Sequence, residues 1–209
     1  MRRPICIAIP FRRAPQPCMI ATHAGRLFLF MALVIASVLI GTGNLHSQAA
    51  TPTEYEVKAA YLYNLGKFVE WPAKTTTAPD SFSICVLGRD PFGATLDTLI
   101  ASETINGKSI VVKRLPKPQD AVSCHILFIS SSEESHLKEI LSTLDKANVL
   151  TVSDIPQFTR RGGMIQFVLD ANRVRFEINL TSAERANLTL SSQLLKVAIS
   201  VRRDSHPGA

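Results

Sequence analysis

An α/β fold with a mostly parallel sheet follows from three features of this chain. Short, almost wholly apolar runs alternate with segments whose apolar residues recur at helical spacing. The runs at 82–87, 125–130 and 149–152 lack the polar alternation of a strand wetted on one face, so cover is expected on both sides of the sheet. Two further strand-like runs flank Asp170-Ala171-Asn172-Arg173, which predicts an antiparallel hairpin that makes the sheet mixed. The predicted architecture is Rossmann-like: a mostly parallel sheet flanked by helices, closing with a hairpin and a C-terminal helix.

Along the chain, Val57, Ala60, Tyr61, Asn64, Leu65 and Phe68 predict a helix over 54–70, with Thr53 as its N-cap. Pro72 bounds it, because a residue before proline avoids the α region. A polar linker with three threonines and Pro79 follows. The first strand, 82–87, ends at Gly88, and Pro91 and Gly93 mark the turn into a helix over 92–102. The β-branched pair Val111 and Val112 predicts a second strand at 110–115, stopped by Pro116 and Pro118. After the strand at 125–130, Ser131 or Ser132 can cap a helix over 133–146. Strand 149–152 leads to a short helical turn at 156–161. Gly162-Gly163 supplies a positive-φ turn before strand 164–169, and the hairpin partner covers 174–180. A helix interrupted near 188–190 is expected over 182–201, followed by a polar tail at 204–209.

The N-terminal 50 residues point to export. They hold five of the 23 basic residues (Arg2, Arg3, Arg12, Arg13, Arg26), none of the 17 acidic ones, and a 14-residue uncharged apolar run from Leu27 to Ile40. With small residues around Ala49, residues 1–49 read as a cleaved secretory signal, and Met19 as a start would give a leader of ordinary length. The run is shorter than the roughly 20 residues that span a bilayer, although a retained anchor is the main rival reading. Residues 50–203 then form one periplasmic domain. That part carries 18 Lys and Arg against 17 Asp and Glu, and such near-neutrality argues against a nucleic-acid partner. Its two cysteines, Cys85 and Cys124, read as one disulfide in an oxidising compartment.

Chemistry-bearing motifs are sparse. Gly88-Arg89-Asp90-Pro91-Phe92-Gly93 follows the first strand but is neither a dinucleotide fingerprint nor a P-loop, so Asp90 reads as a helix cap. No Gly-x-Ser-x-Gly elbow is present, and a hydrolase built on Ser131 and His136 is the weakest alternative. A crevice at the strand ends near Arg89, Asp90 and Asp154 is the alternative site for a small ligand, which would make the chain a sensor or carrier working with a membrane receptor or transporter. All three tyrosines (Tyr55, Tyr61, Tyr63) and the single tryptophan, Trp71, lie in the first helix and its exit. Tyr61 and Tyr63 stand two positions apart on a helix, so at least one of them is expected to face outward. Tyr55, Tyr63 and Trp71 are therefore candidates for a partner-binding patch. Arg160, Arg161 and Arg175 form a second, basic candidate, with Arg175 and Glu177 expected to pair on one strand face.

Five segments carry a resemblance: EYEVKAAYLYNLGKFVEWP (54–72), FSICVLGRDPFG (82–93), CHILFIS (124–130), VLTVSDIPQFTRRGGMI (149–165) and NRVRFEINLTSAERANLTLSSQLL (172–195). In content and order they resemble the YfiR family, over essentially all of the chain after the leader. The resemblance implies a small periplasmic α/β protein with no enzymatic activity and no cofactor. It implies repression of an inner-membrane diguanylate cyclase, YfiN, through that protein's periplasmic sensor part, and so control of cyclic di-GMP and biofilm. Homodimers, and sequestration by the outer-membrane lipoprotein YfiB, are implied as well. The family's disulfide maps onto Cys85 and Cys124, and a second bridge of some relatives has no counterpart here.

Overall fold

The computed structural model describes residues 51–72 and 81–203. The leader with Met19, the threonine-rich linker and the tail at 204–209 lie outside the described residues. Helix α1 (Glu54–Phe68) opens with a capping box: Thr53 accepts from the Glu56 backbone N–H, and the Glu56 carboxylate takes the Thr53 N–H at 2.6 Å. Strand β1 (Val69–Glu70) follows directly.

The main sheet contains β2 (Ser81–Leu87), β3 (Thr104–Ile105), β4 (Lys108–Leu115), β5 (Ile126–Ile129), β6 (Leu150–Ser153), β7 (Ile165–Asp170), β8 (Arg173–Asn179) and β10 (Ser200–Arg202). Their spatial order is β10-β8-β7-β6-β5-β2-β4-β3. The segment β4-β2-β5-β6-β7 is parallel throughout and has the 2-1-3-4-5 order of a doubly wound fold. Strands β3 and β8 are antiparallel to β4 and β7, and β10 returns parallel to β8. The sheet is mixed, as the hairpin predicts. A separate two-stranded antiparallel sheet joins β1 to β9 (Thr189–Leu190).

Two apolar layers cover the sheet. Phe82, Ile84 and Val86 of β2 face one of them, with α1 and α2 (Ala94–Ile100). Cys85 and Leu87 face the other, with α3 (Leu137–Thr143) and Phe158. Strand β5 divides the same way, Ile126 and Phe128 against Leu127 and Ile129. The unbroken apolar runs are therefore period-2 strands read by two cores at once. Cys85 and Cys124 are bonded, with Cα atoms 6.1 Å apart, and both are buried in the second layer.

Several local expectations need correction. Asn106 (φ 51°) and Gly107 (φ 77°) form a tight turn that adds β3, a strand not anticipated although Asn-Gly is a strong hairpin signal. The helix expected over 133–146 divides into a 3-10 segment (Ser131–His136) and α3, and the cap is Ser130, whose hydroxyl accepts from Ser132 N–H. Asp90 does not cap α2, whose N-cap is Gly93; its carboxylate instead accepts from Phe92 N–H two residues on, closing an Asx turn. The C-terminal helix is interrupted at 189–190 as expected, leaving α4 (Leu180–Arg185) and α5 (Ser192–Val197), but the interruption is strand β9 and the end is strand β10, neither of which was anticipated. Asn179 and Ser191 cap the two short helices, and each such side-chain cap starts a new element.

The glycine pair at 162–163 divides its labour. Gly162 holds the positive φ of 103°, while a Cβ at Gly163 would lie 2.1 Å from the Phe158 ring.

Candidate functional site

In a doubly wound sheet the crevice opens beyond the carboxyl ends of the strands where the order reverses, here between β2 and β5. That point is closed by the chain itself. A Cβ at Gly88 would meet Ser132 Oγ at 2.5 Å, and Ser132 Oγ accepts from Arg89 N–H at 2.9 Å. Open volume lies further along the same edge. A cavity of about 400 Å³ sits beside the ends of β5 and β6 and along β7, with Lys58, Asp154 and Phe167 in its walls.

The charged centre of this region comes from α1. Lys58 is nearly enclosed, its side chain 4% exposed. Its Nζ lies 2.6 Å from Asp154 Oδ2 and 2.5 Å from Glu54 Oε1, and stands 4.5 Å from the centre of the Tyr55 ring. The Tyr55 hydroxyl donates to Asp154 Oδ2 at 3.2 Å. Burial pulls the Lys58 ammonium down, but the hydrogen bonds to Asp154 and Glu54 outweigh it, so its pKa is raised. Burial, then the negative charge of Asp154, pushes the Tyr55 phenol up. Sequence reading overlooked Lys58 because a charged residue on a helix reads as solvated. The available signal is the i,i+4 spacing of Glu54 and Lys58.

The three ligand candidates do not converge: two join separate clusters and the third stands apart. Asp154 joins Lys58. Arg89 is exposed, and Asp90 accepts from Arg114 Nε at 2.9 Å. Arg114 also grips both oxygens of Asp97, at 2.8 and 2.5 Å, and donates to Gly93 O. The clusters are linked by rings, Tyr55 meeting Phe92 edge-on at 5.7 Å.

The aromatic candidates are all engaged within the fold. Tyr63 is buried, its hydroxyl donating to Glu103 and Lys67 lying over its ring. Tyr61 packs against Phe167 and Phe176, and its hydroxyl reaches Val174 O at 3.4 Å. Tyr61 is nonetheless only partly buried and lines an open groove beside Leu194 and Val197, so it is the more outward of the two. Tyr61 lies over the sheet while Tyr63 turns toward the end of α2, so α1 is flanked on two sides. Trp71 is half-buried, donates from Nε1 to His125 O at 3.2 Å and meets Phe82 edge-on.

Among the basic candidates, Arg160 and Arg175 are exposed, and Arg161 pairs with Glu134 at 3.1 Å. No Arg175–Glu177 ion pair forms among the described residues; Glu177 instead accepts from the Thr159 hydroxyl at 3.3 Å. Ser131 and His136 do not meet: His136 Nδ1 faces Ser135 Oγ at 3.4 Å and Glu133 at 3.6 Å.

Two solved structures are similar to the chain at 14% identity. A conserved domain protein from Vibrio cholerae O1 biovar El Tor matches with a TM-score of 0.48, over 72% of this chain and 60% of its own length. An ABC domain in complex with L-Trp from Streptococcus pneumonia matches with a TM-score of 0.43, over 59% of this chain and 56% of its own. The chain thus spans less than two thirds of either structure. No curated protein matches. A family profile described as YfiR/HmsC-like matches residues 55–199, which takes in every element from α1 to α5, and the chain belongs to that family.

Proposed function

We propose that this protein restrains an inner-membrane diguanylate cyclase by docking on the cyclase's periplasmic sensor part, and so lowers cyclic di-GMP. The YfiR/HmsC-like family is a periplasmic regulatory family without catalytic activity, and its domain occupies residues 55–199 here. Restraint requires tighter binding to the inactive sensor conformation than to the active one.

One observation carries the docking reading. A groove of about 350 Å³ runs between α1 and α5, lined by Tyr61, Leu65, Phe68, Phe176, Leu194 and Val197. Val197 is 62% exposed, and Ile199 and Val201 farther along the chain are also exposed apolar residues. An apolar surface of this kind supports a protein contact. Tyr55, Tyr63 and Trp71 support α1 from within, Trp71 through Phe82 and His125. Arg160, Arg161 and Arg175 are the polar candidates; Arg175 alternates with Phe176 on β8 and so lies on the sheet face opposite the groove. Self-association into a homodimer and capture by an outer-membrane lipoprotein belong to the same reading.

The test is co-expression with a membrane diguanylate cyclase that carries a periplasmic sensor part, with cyclic di-GMP as the readout. The wild-type protein is expected to lower it, and Val197→Glu to restore it at equal protein level. Unchanged cyclic di-GMP with the wild-type protein would overturn the proposal. Restoration by Arg175→Ala but not by Val197→Glu would move the contact to the other face.

A further inference from the structure

Asn106 is the only asparagine of this chain that precedes a glycine. With Gly107 it forms the turn between β3 and β4, and both residues are exposed, at φ 51° and 77°. The turn is uncrowded: a Cβ at Gly107 would meet no described atom within 4 Å. The Gly107 nitrogen, with no side chain beside it, is open to ring closure onto the Asn106 carboxamide.

The strand before the turn is lightly held, yet it carries an anchor. Strand β3 is two residues long and stands at the sheet edge, with Thr104↔Ser109 and Ile105↔Lys108 as its register pairs. A short edge element of this kind opens locally at little cost, and opening frees Asn106 to bring Cγ to the Gly107 nitrogen. Ile105, directly before the turn, is 1% exposed, and its Cδ1 occupies the place a side chain at Gly66 of α1 would need. The turn therefore seats Ile105 against α1.

We propose that Asn106 is a site of spontaneous conversion to isoaspartate, and that the product unseats Ile105 from α1. Hydroxide removes the Gly107 N–H proton, and the nitrogen attacks Asn106 Cγ. The N–Cγ bond forms, the Cγ–Nδ2 bond breaks, and ammonia leaves with a proton from water. Water then opens the cyclic imide. Opening at Cγ leaves aspartate on the original main chain. Opening at the α-carbonyl leaves isoaspartate, whose main chain runs through Cβ and Cγ and is longer by one methylene. The lengthened turn no longer has the two adjacent positive-φ residues that set the Ile105↔Lys108 register. The proposal does not depend on the cyclase reading.

Ageing of the purified protein in mildly alkaline buffer tests it, with peptide mapping by mass spectrometry and isoaspartyl methyltransferase labelling as readouts. Asn172 (φ 60°) and Asn187 (φ 55°) are internal controls: both are exposed and left-handed, but they precede Arg173 and Leu188. Asn106 is expected to lose its amide about tenfold faster than either. Asn106→Gln is expected to abolish the label. Aged protein is expected to unfold at a lower urea midpoint than Asn106→Asp, which carries the new charge on an unaltered main chain. An Asn106 amide that lasts as long as those of Asn172 and Asn187, or a label that persists in Asn106→Gln, would overturn the site. Equal midpoints for labelled aged protein and Asn106→Asp would overturn the unseating of Ile105.

Discussion

Lys58 Nζ and Asp154 Oδ2 lie 2.6 Å apart and join residues 96 positions distant in the chain. The contact fixes the first turns of α1 at the carboxyl end of β6. It also sets the direction of the helix, because Trp71 at the far end donates to His125 O at the entry to β5. Helix α1 is thus pinned by polar contacts at opposite ends of two neighbouring central strands, with its apolar stripe between them.

Breaking the pin should be costly. Lys58→Met leaves Asp154 and Glu54 facing each other with no cation, and removing one partner of an enclosed pair costs about 3 kcal/mol. The raised pKa of Lys58 gives the effect a pH signature. A group whose folded pKa is raised stabilises fully below its unfolded value, near 10.4 for lysine, and loses that stabilisation as pH rises through the folded value. Urea denaturation should show a constant wild-type advantage from pH 7 to 10, shrinking as pH rises past the unfolded value. A gap that widens in alkali would contradict the assignment.

The Cys85–Cys124 bridge closes a 39-residue separation within the second apolar layer. Closure of a loop this long contributes about 4 kcal/mol. Cys85→Ser should lower stability by about 2–5 kcal/mol, read from denaturation midpoints at equal slope. Both sulfurs are buried, so reductant should shift the midpoint only after passage through the unfolded state. Identical midpoints in oxidised and fully reduced protein would remove the bridge from the stability account.

Arg114 makes a prediction on the acid side. Its bidentate hold on Asp97 depresses the Asp97 pKa below the ordinary 3.8. A depressed carboxylate stabilises above its unfolded pKa and loses that contribution as pH falls through the folded value. Arg114→Gln should therefore cost about 1 kcal/mol at pH 7, the upper end for exposed ion pairs, and nothing near pH 2. Arg114→Lys should not restore it, because an ammonium cannot reproduce the two-oxygen fork.

Much of this architecture was legible from apolar patterning, and the omissions share a cause. The strands at 82–87 and 125–130 were readable because both faces are buried, which leaves long apolar runs. The C-terminal region was legible only in part: its break near 188–190 was expected, its two strands were not. Leu188, Leu190 and Leu194 fit a helix at i, i+2 and i+6 about as well as they fit a strand turning into a helix, and the Ser191 cap that decides the matter is a single polar residue. Within the candidate site, Asp154 was legible because it directly follows a buried strand. Lys58 and Arg114 were not, since their roles depend on carboxylates 96 and 17 residues away. The aromatic residues of α1 were visible, but which of them are buried depends on the α2 packing, which no local spacing encodes.

Gly163 offers a test of the turn before β7. Its backbone N–H donates to Phe158 O at 2.9 Å, and the Phe158 ring lies where its side chain would be. Phe158 is fully buried in the second layer, so the ring cannot swing into solvent. Gly163→Ala must therefore displace a packed aromatic ring or shift the backbone that leads into β7, and overpacking of this kind costs about 1–3 kcal/mol. Gly162→Ala is strained for a different reason, the φ of 103°, and meets only Leu141 Cδ1 at 3.8 Å. Replacing Phe158 by leucine should rescue Gly163→Ala in part but leave Gly162→Ala unrescued. A double-mutant cycle from thermal or urea unfolding reads the difference directly, and equal rescue of both would show that ring contact is not what requires glycine at 163.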